Sequence, residues 1–284
     1  MGEQVSIHWF RNGLRLHDNP CLLDACLKSD RLLPLYVIDP ETPFAQTAGR
    51  RAGCIRANFI LESMNELDQK LRLLGSRLVV VLGKPEKVLP EIVASLQVSC
   101  LYYEREPAAP IREADGKVLE AIRTRLSEGG NKQECRIVGY DTHTLHPMEH
   151  YVARCNGNVA PPTYGVFTKI FEKLGPVPSQ VDDITSCPSM PDNFERLKET
   201  FHCNLHVPSL EQLGYDKDEL KNRDKGGIAF RGGEDAGLSL LNTMMKRTQW
   251  VSTFEKPKTS PNALSVDTTG LSPCKSQRVR DSVD

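Results

Sequence analysis

Two kinds of apolar patterning alternate along the first half of the chain. Short β-branched and aromatic runs recur at Val5–Phe10, Leu32–Ile38, Leu78–Leu82, Cys100–Tyr103 and Arg136–Val138. Between them lie longer amphipathic stretches. In Ala52–Leu74, for example, Ile55, Phe59, Met64, Leu67, Leu71 and Leu74 recur at helical spacing around a polar face. Gly75 is placed to stop that helix, Pro85 opens another within its first turn, and Glu113–Leu126 forms a third before Gly129 and Gly130. Strands alternating with helices predict an α/β fold: a doubly wound, five-stranded parallel sheet of Rossmann-like type over residues 1–141.

The pattern changes beyond that point. Over 142–231, and most clearly between Pro161 and Asp224, prolines are frequent and strand periodicity is lost. This reads as a linker laid on a domain surface, with short helical turns at Asn193–Thr200 and Leu210–Gly214. From Gly232 to Pro273 a second, incomplete helical unit begins. Leu238, Leu241, Met244, Met245 and Trp250 predict one helix over Glu234–Phe254. From Phe254 onward, proline, serine, threonine and charge leave too little apolar surface to fold alone.

A length of 284 residues suits one full domain and a smaller unit, and a net charge of −1 gives no global attraction to polyanions or acidic membranes. Nine cysteines, an odd number without paired short spacing, read as reduced core thiols of an intracellular protein. The opening residues lack the basic and apolar regions of a secretory signal. No apolar run approaches the roughly 18 residues of a membrane span. A nuclear or cytoplasmic protein with no membrane partner is expected.

In a doubly wound sheet, ligands sit where strand carboxyl ends meet helix amino termini. Three such joints carry polar groups: Trp9, Phe10, Arg11 and Asn12 after the first strand, Asp39 after the second, and Glu104, Arg105 and Glu106 after the fourth. Together they can line a crevice in which a planar ligand stacks on Trp9 or Phe10 and hydrogen-bonds to the carboxylates. The alternative makes Asp39 and Asp18 turn or cap residues and Arg11 an ion-pair partner. Thr268-Thr269-Gly270-Leu271-Ser272 has hydroxyls and amides suited to phosphate oxygens, although such loops are commonly plain turns. Arg11–Arg15 is not a G-x-G-x-x-G turn, and His143, His146 and His150 lack metal-site spacing.

The run His8-Trp9-Phe10-Arg11-Asn12-Gly13-Leu14-Arg15-Leu16-His17-Asp18-Asn19-Pro20 resembles the W-F-R-x-x-L-R-x-x-D-N-P signature of the photolyase and cryptochrome family. Similarity continues at Pro34–Pro40, Arg56–Met64, Pro161–Tyr164, Phe230–Glu234 and Trp250–Asn262. Phe254-Glu255-Lys256-Pro257-Lys258-Thr259 points to the animal-type cryptochrome and (6-4) photolyase branch.

The resemblance implies an antenna α/β domain, with an optional folate or deazaflavin chromophore, followed by a helical FAD-binding domain. In that family the helical domain receives damaged DNA. By resemblance, Lys256, Thr268, Thr269, Leu271 and Ser272 are partial FAD-phosphate contacts. Residues 274–284 depart from the family pattern, so no residue here is assigned a catalytic role. Three readings follow. The chain is a truncated flavoprotein of this family, catalytically incompetent alone, whose family role is blue-light-driven DNA photoproduct repair or light and circadian signalling. Alternatively it is a stand-alone chromophore module, or a protein-interaction module that modulates the full-length protein.

Overall fold

The computed structural model describes residues 3–45, 50–128, 134–155, 160–194, 197, 201, 203–216, 218, 231–253 and 271. Five strands run parallel: β1 (Val5–Phe10), β2 (Arg31–Ile38), β3 (Val79–Leu82), β4 (Cys100–Glu104) and β5 (Arg136–Tyr140). Their spatial order is β5-β4-β1-β2-β3, so the chain winds one way from the central β1 and then returns to build the other side. Four helices connect them: α1 (Pro20–Lys28), α2 (Cys54–Leu73), α3 (Pro85–Ser95) and α4 (Ala109–Glu128).

Alternation along each strand sorts the apolar side chains into two cores. Ile7, Trp9, Leu33, Leu35, Val79, Val81, Leu101 and Tyr103 face α3 and α4, where they meet Leu89, Ile92, Val93, Val118 and Ile122. Phe10, Leu32, Tyr36, Ile38, Val80 and Tyr102 face α1 and α2, where they meet Leu22, Ala25, Ile60, Met64, Leu67 and Leu71.

Local signals set the helix limits. Asn19 Oδ1 accepts the Leu22 amide at 3.0 Å, and Pro20 follows in the first turn of α1. At the end of α2, Gly75 adopts φ 91°, and the Ser76 amide donates to Leu71 O at 2.9 Å. A left-handed residue closing a last turn in this way favours glycine.

The stretch after β5 holds more regular structure than its sequence pattern marked. It contains α5 (Met148–Val152), α6 (Tyr164–Leu174), a 3-10 turn at Asp192–Phe194 and β6 (Cys203–Asn204). The two-residue β6 pairs antiparallel to β3 and makes a sixth strand. Two residues are too few to show a period, but they protect the edge of β3 from other pairing. α6 is capped by Thr163, whose Oγ1 accepts the Val166 amide at 3.3 Å, and packs Ile170, Phe171 and Leu174 with Tyr151 and Cys155 in a small satellite core.

The segment after α6 lies along the α/β domain through backbone bonds. Leu32 N donates to Ser189 O at 3.1 Å, Cys187 N to Leu74 O at 2.9 Å, and Val181 N to Asp18 Oδ1 at 3.2 Å. The final described stretch is two helices, α7 (Glu234–Met245) and α8 (Thr248–Ser252), rather than the single one its periodicity predicts. The break falls at Lys246 and Arg247, where neither glycine nor proline accounts for it.

Candidate functional site: the carboxyl edge of the sheet and the α7 junction

Trp9, Phe10, Arg11, Asp39, Glu104 and Glu106 come to the carboxyl ends of three adjacent strands, β2, β1 and β4, or just beyond them. Their side chains take different directions. Trp9 and Phe10 are consecutive and therefore point to opposite faces, Trp9 toward Tyr103 (centroids 6.2 Å apart) and Phe10 against the ring of His8 (4.3 Å). Both are buried, at 5% and 2% exposure. The Arg11 guanidinium covers the Trp9 ring at 4.9 Å and pairs with Asp115 of α4. The flat face a ligand would stack on is occupied by a cation of the chain itself.

Glu104 and Glu106 are each 3% exposed. Glu104 Oε1 accepts the Thr142 hydroxyl and lies 3.8 Å from Arg15 Nη2. Arg15 in turn donates to the carbonyls of His17 and Asp18, both at 3.1 Å. Gly13 closes over this carboxylate so tightly that a Cβ there would sit 1.8 Å from Glu104 Oε2. Glu106 Oε1 accepts Asn12 Nδ2 at 2.7 Å and lies 2.9 Å from His143 Nε2. Buried charges held by fixed partners in this way are stable only as a set.

Three buried nitrogens at this edge, Arg11 Nη2 and both ring nitrogens of His143, make no hydrogen bond, Nε2 standing only within ion-pair distance of Glu106. Asp39 turns back on its own loop, accepting the Glu41 amide at 2.9 Å and the Thr42 hydroxyl at 3.0 Å. Asn12 belongs to the joint marked from sequence, whereas Arg15, Asp115, Thr142 and His143 were not marked there as lining it. Gly13, inside the motif, was the one local hint that something must approach closely there.

Of the residues that resemble FAD-phosphate contacts, Leu271 is buried, and Lys256, Thr268, Thr269 and Ser272 lie outside the described residues. A solvent-open groove of about 880 Å³ runs between α3 and α4, lined by Glu86, Lys87, Glu91, Lys117, Glu120 and Arg125 among others, and includes none of the site residues.

A second polar cluster joins α7 to α2. The amides of Gly232, Gly233 and Asp235 donate to Glu62 Oε2 (2.8 Å), Ser63 Oγ (2.9 Å) and Glu66 Oε1 (2.8 Å) in turn. Both glycines are required by space: a Cβ on Gly232 would fall 1.9 Å from Phe59 O, and one on Gly233, at φ 116°, 1.9 Å from Glu66 Oε2. The buried Glu234 carboxylate accepts His17 N at 2.7 Å, Leu16 N at 3.3 Å and Lys70 Nζ at 2.9 Å. Lys70 also reaches Asp235 at 2.6 Å and Glu66 at 3.3 Å. Burial disfavours the Lys70 ammonium, but its bonds to Asp235 and Glu234 outweigh that and raise its pKa above the usual lysine value. The loop Leu16–Asp18 thus holds the 180s segment on one side, through Asp18, and the start of α7 on the other.

Burial also fixes protonation inside the sheet. His8 is lowered to about 3 by desolvation and stays neutral, and the Tyr36 hydroxyl is pushed up to about 12.

A parallel five-stranded sheet of this order, with polar side chains gathered at its carboxyl edge and α7 hydrogen-bonded to α2, defines the class: a doubly wound α/β protein. The chain belongs to the DNA photolyase family, whose pattern it matches over residues 6–183. It is 34% identical over 277 residues to Cryptochrome-1 of Spalax judaei, covering 94% of this chain and 42% of that protein. The chain therefore spans less than half the length of that curated relative. Its fold overlays a Synechocystis cryptochrome with a TM-score of 0.67 at 26% identity, over 91% of this chain and 50% of the other. It also overlays an archaeal photolyase from Sulfolobus tokodaii, described with two FAD molecules, with a TM-score of 0.64 at 22% identity, over 96% of this chain and 52% of the other. Among the described residues, no helix is long and apolar enough to cross a membrane.

Proposed function

We propose that this chain is the α/β scaffold of a cryptochrome or (6-4) photolyase-like flavoprotein, which seats the first helices of an FAD-binding unit on α2. The family role behind it is blue-light-driven repair of DNA photoproducts, or light and circadian signalling, in the nucleus or cytoplasm. The observation that carries this reading is the 34% identity to an animal cryptochrome along nearly the whole chain, with the α7 junction docked by Lys70 and Glu234. By itself the chain is catalytically incompetent, because an FAD held by the few contacts at Lys256, Thr268, Thr269, Leu271 and Ser272 leaves most of its surface in water. Damaged DNA is accordingly a partner of the longer protein rather than of this chain.

The test is illumination of the purified chain with FAD and a duplex carrying a (6-4) photoproduct. The lesion is expected to persist, and light-dependent restoration of the bases would overturn the reading. Two further readings each have an observation in their favour. Arg11 Nη2 and His143 Nδ1, buried and unsatisfied, favour a chromophore module that binds a folate or deazaflavin through its acceptor atoms. The exposed Tyr164, Val166 and Phe167 on α6 favour an interaction module that binds a protein partner.

A further inference from the structure

Pro161-Pro162-Thr163-Tyr164 leads into α6, and the fold draws on little of it beyond the Thr163 cap. Each pyrrolidine ring locks φ at about −65°, and a residue that precedes proline is driven to extended ψ. Pro161, which meets both conditions, is therefore held in the polyproline II region. Thr163 continues the extended backbone at φ −143° and ψ 159°, and Tyr164 opens the helix, where an amide has no intrahelical partner to find. Pro162, Thr163 and Tyr164 are exposed, Tyr164 at 80%. Its ring stands 6.3 Å from that of Phe167, at the rim of the satellite core. Tyr151, by contrast, is buried and stacks on Phe167 at 5.5 Å, so the core rests on Tyr151 and not on Tyr164. Among the described residues, no hydrogen bond is made to the carbonyl of Pro161 or Pro162.

We propose that residues 161–164 are a docking motif for a WW-type domain, a module whose aromatic-lined groove receives polyproline II segments. The proposal rests on the reading of α6 as a protein-binding surface and names the partner that surface takes. A polyproline II helix has three residues per turn, so positions three apart, such as Pro161 and Tyr164, share a side. The backbone is set in the bound conformation beforehand, which lowers the ordering cost of association. Free proline carbonyls are acceptors for hydroxyl and indole donors of an aromatic groove. Spacing separates this partner from the other readers of proline-rich segments. An SH3-type groove takes P-x-x-P, but the residues three beyond Pro161 and Pro162 are Tyr164 and Gly165. A tyrosine there supplies a flat apolar ring with a hydroxyl at its tip, suited to a pocket with a polar rim. A partner can bury that ring without withdrawing it from the satellite core.

The experiment titrates the 284-residue chain into a fluorescently labelled WW-type domain of the kind that reads P-P-x-Y, with an SH3-type domain in parallel. The expected result is saturable binding to the WW-type domain, displaced by a free peptide carrying P-P-x-Y. Tyr164→Ala and Pro162→Ala should each weaken it about tenfold or more, because each removes an anchoring ring. Val166→Ser, on α6 but outside the motif, should bind as the unsubstituted chain does. Far-ultraviolet circular dichroism of Tyr164→Ala should match the unsubstituted chain, since the ring it removes is exposed. Displacement by the free peptide needs no variant, so a substituted chain that misfolds leaves the test intact. No binding to the WW-type domain, tighter binding to the SH3-type domain, or failure of the peptide to compete would overturn the proposal. Binding lost on Val166→Ser but kept in Tyr164→Ala and Pro162→Ala would overturn it too, while leaving α6 as a protein-binding surface.

Discussion

Replacing Gly13 with alanine tests the most crowded point of the sheet edge. The added Cβ would lie 1.8 Å from Glu104 Oε2 and 2.7 Å from Glu104 Cδ, far inside van der Waals contact. Gly13 is not among the glycines with positive φ, so the effect is one of space and not of backbone strain. Glu104 is 3% exposed and cannot retreat into water. It must release the Thr142 hydroxyl and move relative to Arg15, whose Nη2 is 3.8 Å away.

A hydrogen bond to a charged group is worth about 1.5–3 kcal/mol, and overpacking costs about 1–3 kcal/mol more. Together these give a loss of about 2.5–6 kcal/mol, a large part of a domain's stability. Urea unfolding followed by far-ultraviolet circular dichroism measures it. The mechanism predicts strong coupling with Glu104→Ala, because an alanine at 13 fits once the carboxylate is gone. The second substitution should then add under about 1 kcal/mol. Losses that simply add in the Gly13→Ala, Glu104→Ala double variant would refute the reasoning.

Lys70→Met removes the cation shared by Glu66, Glu234 and Asp235, and should cost about 2 kcal/mol at the α7 junction. Amide exchange over 232–245 should accelerate roughly thirtyfold while β1 and β4 stay protected. Because Lys70 is raised in the folded state, its contribution is complete below the unfolded lysine value, near pH 10.4, and is lost above it as pH rises through the folded value. α7 exchange, corrected for the intrinsic rate, should therefore not change between pH 6 and 9. His8, lowered to about 3 by burial, has the opposite dependence on acid. The unfolded chain takes up a proton near pH 6.5 that the folded chain refuses, so stability falls as pH drops below about 6.5. Comparing His8→Leu with wild type between pH 6.5 and 5 should show a slope shallower by up to one proton.

The strands and α2 were legible because each buries a continuous run whose period survives in the sequence, and Gly75 and Pro85 mark where helices must end and begin. α6 was not. Its Phe167, Ile170, Phe171 and Leu174 hold a helical spacing, but the helix is short, flanked by Pro161, Pro162 and Pro176, and packs in a small satellite core with Tyr151 and Cys155 and against the ring of His146. The positions of Arg11, Glu104 and Glu106 followed from the topology of the sheet. Their partners did not, because Asp115, Thr142 and His143 reach them from later in the chain and no local pattern links them. The same holds for Lys70 and Glu234, which are separated by 164 residues.

The central claim is that these 284 residues form a scaffold for a flavin unit rather than a flavin site. The most direct measurement is the absorbance and fluorescence spectrum of the purified chain before and after incubation with FAD, a reduced folate and a deazaflavin. The account predicts no stoichiometric flavin uptake, with flavin fluorescence unchanged on adding the chain. Tight one-to-one binding of FAD would contradict it.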